Sequence, residues 1–236
     1  MLKLGLLGHN IAYSLSPQIH GEYYKRKGID AEYILIDTPD LASVMPRLRN
    51  MDGFNITQPY KQAVLEYIDV LHTDVSAVNT VKVVAGKLHG YSTDGVGWLG
   101  HIKELGISLK GKDILILGAG GAAAAIVPVA VKEGGNALIY NRTAETAQKL
   151  ADKHGAKAVK ACVPQIIVNC TTLGLKGEDC LPAGIGLGNL QLAYDTIYNP
   201  PQTPFLKRAK NVGAATANGY RMLELQAYAA ADIFII

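Results

Sequence analysis

The sequence predicts an α/β protein: an N-terminal α/β unit, a Rossmann-type nucleotide-binding unit, and a last helix that packs back on the first. Strand-patterned and helix-patterned segments alternate almost throughout the 236 residues, which is the rhythm of mostly parallel sheets. One apolar strand, KDILIL, runs straight into GAGGAAAA, the glycine-rich strand-to-helix turn of dinucleotide-binding folds. A composition 49% hydrophobic and 18% charged supplies enough apolar surface for folded cores of this size.

The elements follow in order. LKLGLLG reads as a strand and SPQIHGEYYKRKG as a helix, then AEYILID and PDLASVMPRLRN repeat the pair, and FNIT and PYKQAVLEYID repeat it again. Pro17 and Pro59 each follow closely on a Ser or Thr, the chemistry of a first helical turn. VNTVKVV and LHGYST read as two strands joined by a glycine-containing turn, and GVGWLGHIKELG as a helix leading into a second unit. A boundary near Gly95 divides the chain into a substrate unit, residues 1–94 with 219–236, and a cofactor unit, residues 95–218. The apolar closing segment GYRMLELQAYAAADIFII needs a partner face, which the first unit supplies.

Bulk properties exclude several classes. No apolar run approaches the ~20 residues needed to span a bilayer. The opening MLKLGLLGHN has one Lys and no small-residue cleavage site, so a cytoplasmic protein is expected. Cys162, Cys170 and Cys180 are odd in number and form no C-x-x-C pair, so neither a disulfide framework nor a metal site is expected. A net charge of +3 with no basic cluster argues against nucleic acid and suits small anionic ligands.

Gly118, Gly120 and Gly121 lie where a tight turn must let a pyrophosphate approach the backbone and the helix N-terminus. The spacing is G-x-G-G, with Ala at the third glycine position of the fuller motif. About 20 residues on, the strand NALIY ends at Asn141-Arg142-Thr143, where an NAD-binding unit carries an acidic residue for the ribose hydroxyls. A guanidinium there pairs with a 2′-phosphate that a carboxylate would repel, so NADP is favoured over NAD.

On the other unit, Ser14 and Ser16 offer two hydroxyls one residue apart that can grip a carboxylate, although Ser16 is equally well placed as the N-cap before Pro17. Asn79 and Asp94 sit at strand positions that suit a polyhydroxylated ligand, and each alone is as apt to close a turn. Lys61 falls in the first turn of the helix expected after Pro59, where the dipole disfavours positive charge and suits an amine that exchanges a proton with a hydroxyl. The plain alternative is a surface helix lysine near Glu66.

YSLSP, GFNITQPYK, AVNT, STDGVG, GAGGAAAA, NRT, NCTTLG, YDTIYNPPQTPFL and a final G-x-x-M-L-x-x-Q-A, in this order, resemble the shikimate dehydrogenase family over nearly the whole chain. The resemblance implies a shikimate-binding unit and an NADP unit flanking a cleft. It implies that Ser14 and Ser16 hold the substrate carboxylate, and that Thr57, Asn79, Tyr198 and Gln226 contact the carboxylate or ring hydroxyls. Lys61 and Asp94 become the catalytic pair for reversible reduction of 3-dehydroshikimate by NADPH, and Asn55 supports the loop. The nucleotide positions map onto Gly118, Ala119, Gly120, Gly121, Ala122, Asn141, Arg142, Thr143 and Gly219. The expected partners are small molecules, with the chain acting as a monomer or homodimer.

Four departures qualify the match. Ser92 stands where the family carries Asn, a change expected to be tolerated because Asp94 is present; Thr146 stands where a second basic residue often follows N-R-T, and this predicts a weaker NADP preference. Pro128 sits beyond the first turn of the helix after the glycines, where it removes a donor and predicts a kink. The stretch from His154 to Asn169 is short, so one strand–helix element is trimmed. Two alternatives stand beside the main reading: a quinate/shikimate dehydrogenase with relaxed cofactor choice, and a non-catalytic NADP-binding sensor, against which the retention of both Lys61 and Asp94 argues.

Overall fold

Leu4, Leu6 and Leu7 are buried along β1 (Leu2–Gly8), the strand around which the first sheet is built. The computed structural model describes residues 1–74 and 77–236. They divide into two units, Met1–Gly97 with Glu224–Ile236, and Trp98–Leu223.

In the first unit β1 is followed by α1 (Ser16–Lys27), β2 (Ala31–Asp37), α2 (Leu41–Leu48), β3 (Gly53–Ile56), a short 3₁₀ helix (Ala63–Tyr67), β4 (Val70–Leu71), β5 (Thr80–Val84) and β6 (Lys87–Tyr91). The sheet order is β2-β1-β3-β5-β6-β4. Helical crossovers make β1 parallel to β2 and β3, whereas β5 runs antiparallel to both β3 and β6. The expectation of mostly parallel strands therefore holds, with β5 the one strand of this sheet that runs against the rest. The β5–β6 connection is too short for a crossover and turns through Ala85 and Gly86, both at positive φ (50° and 75°), the geometry of a tight hairpin. As a result the carboxyl ends of β1, β3 and β6 and the amino end of β5 share one edge.

Both faces of this sheet are covered. Leu41, Met45 and Leu48 of α2 pack with Leu7, Phe54 and Val81 on one side. On the other, Leu4 packs with Tyr23 and Tyr24 of α1 and with Ala230, Ala231 and Phe234 of α7 (Tyr220–Ile235). The closing helix thus packs on the first unit's sheet. A Cβ at Gly53 would lie 2.5 Å from the Phe234 ring, so this glycine lets the helix seat directly on β3.

The second unit takes the end of α3 (Asp94–Glu104), then β7 (Asp113–Leu117), α4 (Gly121–Lys132), β8 (Asn136–Tyr140), α5 (Ala144–His154), β9 (Lys157–Ala158), β10 (Ile166–Asn169), β11 (Leu192–Asp195), α6 (Pro204–Asn211) and β12 (Ala215–Ala217). Its strands, all parallel, are ordered β12-β11-β10-β7-β8-β9, a doubly wound sheet whose order reverses between β7 and β10. Within the short 154–169 stretch both strands β9 and β10 are present and only the helix between them is missing; the β10–β11 connection, outside that stretch, also has no helix. α4 continues through Pro128 to Lys132 as one helix.

One buried histidine gives the first unit an acid-sensitive core. His20 of α1 is stacked on Tyr33 (centroids 4.1 Å apart, planes at 11°), and burial drives its pKa from 6.5 to about 3. The unfolded chain takes up a proton below about 6.5 that the folded chain refuses until about 3. Stability present above that range is therefore lost as pH falls, by about 1.4 kcal/mol per pH unit from this group. Urea unfolding at pH 7 and pH 5 should show His20→Phe, which keeps a stacked ring, losing about 2 kcal/mol less than the wild type over that interval. Equal losses would show that the ring does not stay neutral.

Candidate active site

The loop after β1 is shaped by two anchors. A Cβ at Gly8 would lie 2.6 Å from both Ile11 and Thr57, so only glycine lets the end of β1 lie against the residue that follows β3. Asp37 accepts the Asn10 and Ile11 N–H groups at 2.9 Å each, and those backbone bonds, Ile11 first, hold its carboxyl below the usual range. The loop then turns back, with Ser14 N–H donating to the Ile11 carbonyl. Ser14 and Ser16 are brought together with their hydroxyl oxygens 3.2 Å apart. Ser16 is not the N-cap that the sequence allowed. The cap position is Leu15, and Ser16 is the first residue of α1, its N–H donating to Ser14 Oγ.

Lys61 departs from its predicted setting as well. The Gln58–Pro59 peptide bond is cis, residues 58–62 form a turn, and Lys61 lies in that turn before the 3₁₀ helix. It is fixed there by its backbone, whose carbonyl accepts the Val78 N–H at 2.9 Å. Its ammonium donates to Oδ2 of Asp94, the first residue of α3, in a partly buried ion pair with side chains 19% and 10% exposed. The other carboxylate oxygen, Oδ1, accepts from Asn79 Nδ2 at 2.9 Å. The Asn79 amide also donates to Thr93 Oγ1 at 2.9 Å, and Thr93 Oγ1 donates to Gln226 Oε1 of α7 at 3.3 Å.

Ser14, Thr57, Lys61, Asn79 and Asp94 all sit at the shared edge of the first sheet, and α7 adds Gln226. Asn55 donates to the Asn79 carbonyl at 3.1 Å, tying β3 to the residue just before β5. Thr93 was not singled out from the sequence; its place beside Asp94 was the only hint, and its hydroxyl joins Asn79 to Gln226. A protonated amine clasped by a carboxylate at such an edge can give a proton to an alkoxide and take it back. Among the described residues no group of three or more His, Cys, Asp or Glu is placed to hold a metal ion.

In the second unit, Gly118 leaves β7 at φ 102°, and a Cβ there would press on Thr171 at 3.1 Å and the Cys170 carbonyl at 3.2 Å, beyond the end of β10. This is the point where the strand order reverses. Gly120 caps α4 without a side-chain bond, and a Cβ built on it meets nothing within 4 Å, so the ground before the helix N-terminus is open. Backbone N–H groups there fit a pyrophosphate. Ala119, Gly121 and Ala122 complete the turn. After β8, Asn141 Nδ2 donates to the Thr143 carbonyl at 3.0 Å, and Arg142 is exposed and in no ion pair among the described residues, which suits a 2′-phosphate.

Tyr198 follows β11 and Gly219 follows β12, also at the carboxyl ends of this sheet. Gly219 is required by a close approach, since a Cβ would fall 2.1 Å from the Thr196 carbonyl oxygen. The β11 loop is held by Asp195, wholly buried, which accepts from Asn169 Nδ2 (3.0 Å), the Ile197 N–H (3.0 Å) and Thr203 Oγ1 (2.6 Å). Burial raises its pKa, with these bonds opposing the rise.

Residues 6–84 match the model of the shikimate dehydrogenase substrate binding domain, and residues 101–170 that of shikimate / quinate 5-dehydrogenase. Over 99% of its length the chain is 37% identical to the shikimate dehydrogenase (NADP(+)) of Caldicellulosiruptor saccharolyticus, covering 92% of that protein. The chain belongs to the shikimate dehydrogenase family. A solved member, the Thermus thermophilus enzyme in complex with NADP(H) and shikimate, superposes with a TM-score of 0.92 at 35% identity, over 99% of this chain and 93% of that one. The ligand-free 5-ketofructose reductase of Gluconobacter sp. strain CHM43 also superposes, with a TM-score of 0.86 at 32% identity, over 99% and 92%. Fold likeness alone therefore leaves the substrate to be argued from the groups at the site.

Proposed function

We propose that this chain is an NADP-dependent shikimate dehydrogenase that interconverts 3-dehydroshikimate and shikimate. The observation that carries the reading is the Lys61–Asp94 pair at the edge of the first sheet, with Asn79 on the second carboxylate oxygen. Ser14 and Ser16, 3.2 Å apart, can each turn an O–H toward one substrate carboxylate. Thr57, Asn79 and Gln226 contact the carboxylate or ring hydroxyls, and Tyr198 is assigned to the same ligand on the family resemblance alone. NADP, held by the glycine turn Gly118–Ala122, by Asn141, Arg142 and Thr143, and by Gly219, supplies or accepts the hydride at the carbon that bears the reacting hydroxyl. In the direction of ketone reduction Lys61 Nζ gives its proton to the developing alkoxide, and Asp94 keeps the ammonium in place and accepts from the product hydroxyl. In the reverse direction the amine takes that proton back.

The substrate unit in this reading is residues 1–94 with 219–236, and the cofactor unit residues 95–218. The enzyme works in the cytoplasm, as a monomer or homodimer, on freely diffusing small molecules; no described helix is long and apolar enough to cross a membrane. Relaxed specificity is the second reading, favoured by Thr146 in place of a second basic residue and by the 5-ketofructose reductase neighbour. Initial rates at the reduced-nicotinamide absorbance band, with shikimate and quinate crossed against NADP and NAD, separate the two. The highest kcat/KM is expected for shikimate with NADP. A preference for quinate would transfer the assignment to the second reading, and four null rates would sink both.

A further inference from the structure

Two amides beneath the site have orientations that backbone groups settle. Asn55 Nδ2 lies 3.1 Å from the Asn79 carbonyl, which can only accept, and Asn79 Oδ1 lies 2.7 Å from the Thr93 N–H, which can only donate. Asn55 Oδ1 therefore faces Tyr33 Oη at 2.8 Å, and the phenol is the donor. By the same logic Asn79 turns its Nδ2 to Asp94 Oδ1 at 2.9 Å. Between the two amides stands Thr80, the first residue of β5, wholly buried, its Oγ1 3.0 Å from Asn55 Nδ2 and 3.3 Å from Asn79 Oδ1. The first contact makes the hydroxyl an acceptor. Its single hydrogen is then directed at Asn79 Oδ1, with Thr93 Oγ1 further off at 3.4 Å.

The bonds consequently run one way, from Tyr33 to Asn55, to Thr80, to Asn79, to Asp94. Each donor polarises the next in a low-dielectric interior. We propose that Thr80 is a positioning residue for the reaction, holding Asn79 so that its amide fixes Oδ1 of Asp94 and leaves Oδ2 for Lys61. The inference rests on the shikimate dehydrogenase reading, in which that pair moves the proton. Only a hydroxyl can accept from one amide and donate to the other at this point. Valine has the shape and neither capacity; among the described residues it leaves Asn79 held on its oxygen side by the Thr93 N–H, able to tilt and to carry the Asp94 carboxylate away from the ammonium. Serine keeps both capacities.

The test compares Thr80→Val, Thr80→Ser and Lys61→Ala in the shikimate–NADP assay, in water and in deuterium oxide. Thr80→Val should lower kcat about tenfold while shikimate KM changes less than about threefold, because Asp94 and Lys61 act in the transition state. Its solvent isotope effect on kcat should rise as proton transfer becomes slower, and Thr80→Ser should return kcat to within about twofold of the wild type. A Thr80→Val kcat within twofold of the wild type, an unchanged isotope effect, or a serine variant as impaired as the valine one would overturn the proposal. Normal Thr80→Val kinetics beside a crippled Lys61→Ala enzyme would remove the Thr80 inference alone. Wild-type turnover in Lys61→Ala would remove the reading beneath it and the inference with it.

Discussion

Lys61→Ala should lower kcat for shikimate oxidation by about 100- to 10,000-fold, the range a positioned general acid–base group contributes. Shikimate KM should change far less, since the carboxylate grip proposed for Ser14 and Ser16 and the contacts proposed for Thr57 and Gln226 are untouched. The physical basis is the partly buried ion pair. Asp94 is held on one oxygen by Asn79 and presents the other to Lys61, so removing the amine leaves a fixed carboxylate without the group that takes the hydroxyl proton. The substitution itself should fold, because Lys61 lies in a turn whose backbone bond to Val78 does not depend on the side chain. Initial-rate kinetics with circular dichroism as a folding control measure this. A kcat within tenfold of the wild type would take Lys61 out of the mechanism.

The second large effect is expected at the other end of the cofactor. Arg142→Asp should reverse the nucleotide preference, moving the ratio of kcat/KM for NADP to that for NAD by about 100-fold or more. Charge-assisted bonds to a phosphate are worth about 1.5–3 kcal/mol, and each 1.4 kcal/mol is tenfold. The incoming carboxylate adds repulsion toward the 2′-phosphate and an acceptor for the free ribose hydroxyls of NAD. Arg142 is exposed and forms no ion pair among the described residues, so its replacement disturbs no network of the fold. Thr146, two residues into α5, offers no second cation to compensate. An unchanged ratio would show that another group recognises the 2′-phosphate.

In the second unit β7, the glycine turn into α4, and β8 were legible from local signals, and α5 and α6 carry such signals at their ends although they were not read as elements. β7 is a short apolar run ending in glycines, α5 follows Asn141-Arg142-Thr143 and closes at Gly155 in the left-handed conformation, and Thr203 and Pro204 open α6. The first unit was read less well where the chain depends on distant partners. Gln58–Pro59 is cis, an isomer that local composition does not encode, and the helix expected from Pro59 onward is reduced to the 3₁₀ segment Ala63–Tyr67. The antiparallel pairing of β5 with β6 follows from the glycine-containing turn read between them, at Ala85-Gly86, whereas its antiparallel pairing with β3 has no signature in VNTVKVV itself.

At the site, individual motifs pointed to Ser14, Ser16, Lys61, Asn79 and Asp94, while the contacts that hold several of them in place come from residues that look ordinary in sequence. Thr80 and Thr93 are two threonines among many until the fold sets them against Asn79 and Gln226. Asp37, Gly8 and Asn55 shape the loops through backbone hydrogen bonds and close approaches between segments tens of residues apart, which no local pattern records. The acidity of His20 is likewise a tertiary property, created by burial against Tyr33.

The central claim is that a hydride passes between NADP and the hydroxyl-bearing carbon of shikimate at this chain's own site. Shikimate carrying deuterium on that carbon tests it most directly, with mass spectrometry of the nicotinamide and of the recovered substrate. One deuterium should appear in the reduced cofactor for each shikimate consumed, and the transfer should collapse in Lys61→Ala. Intact labelled shikimate, or label found in water and absent from the nicotinamide, would contradict the account.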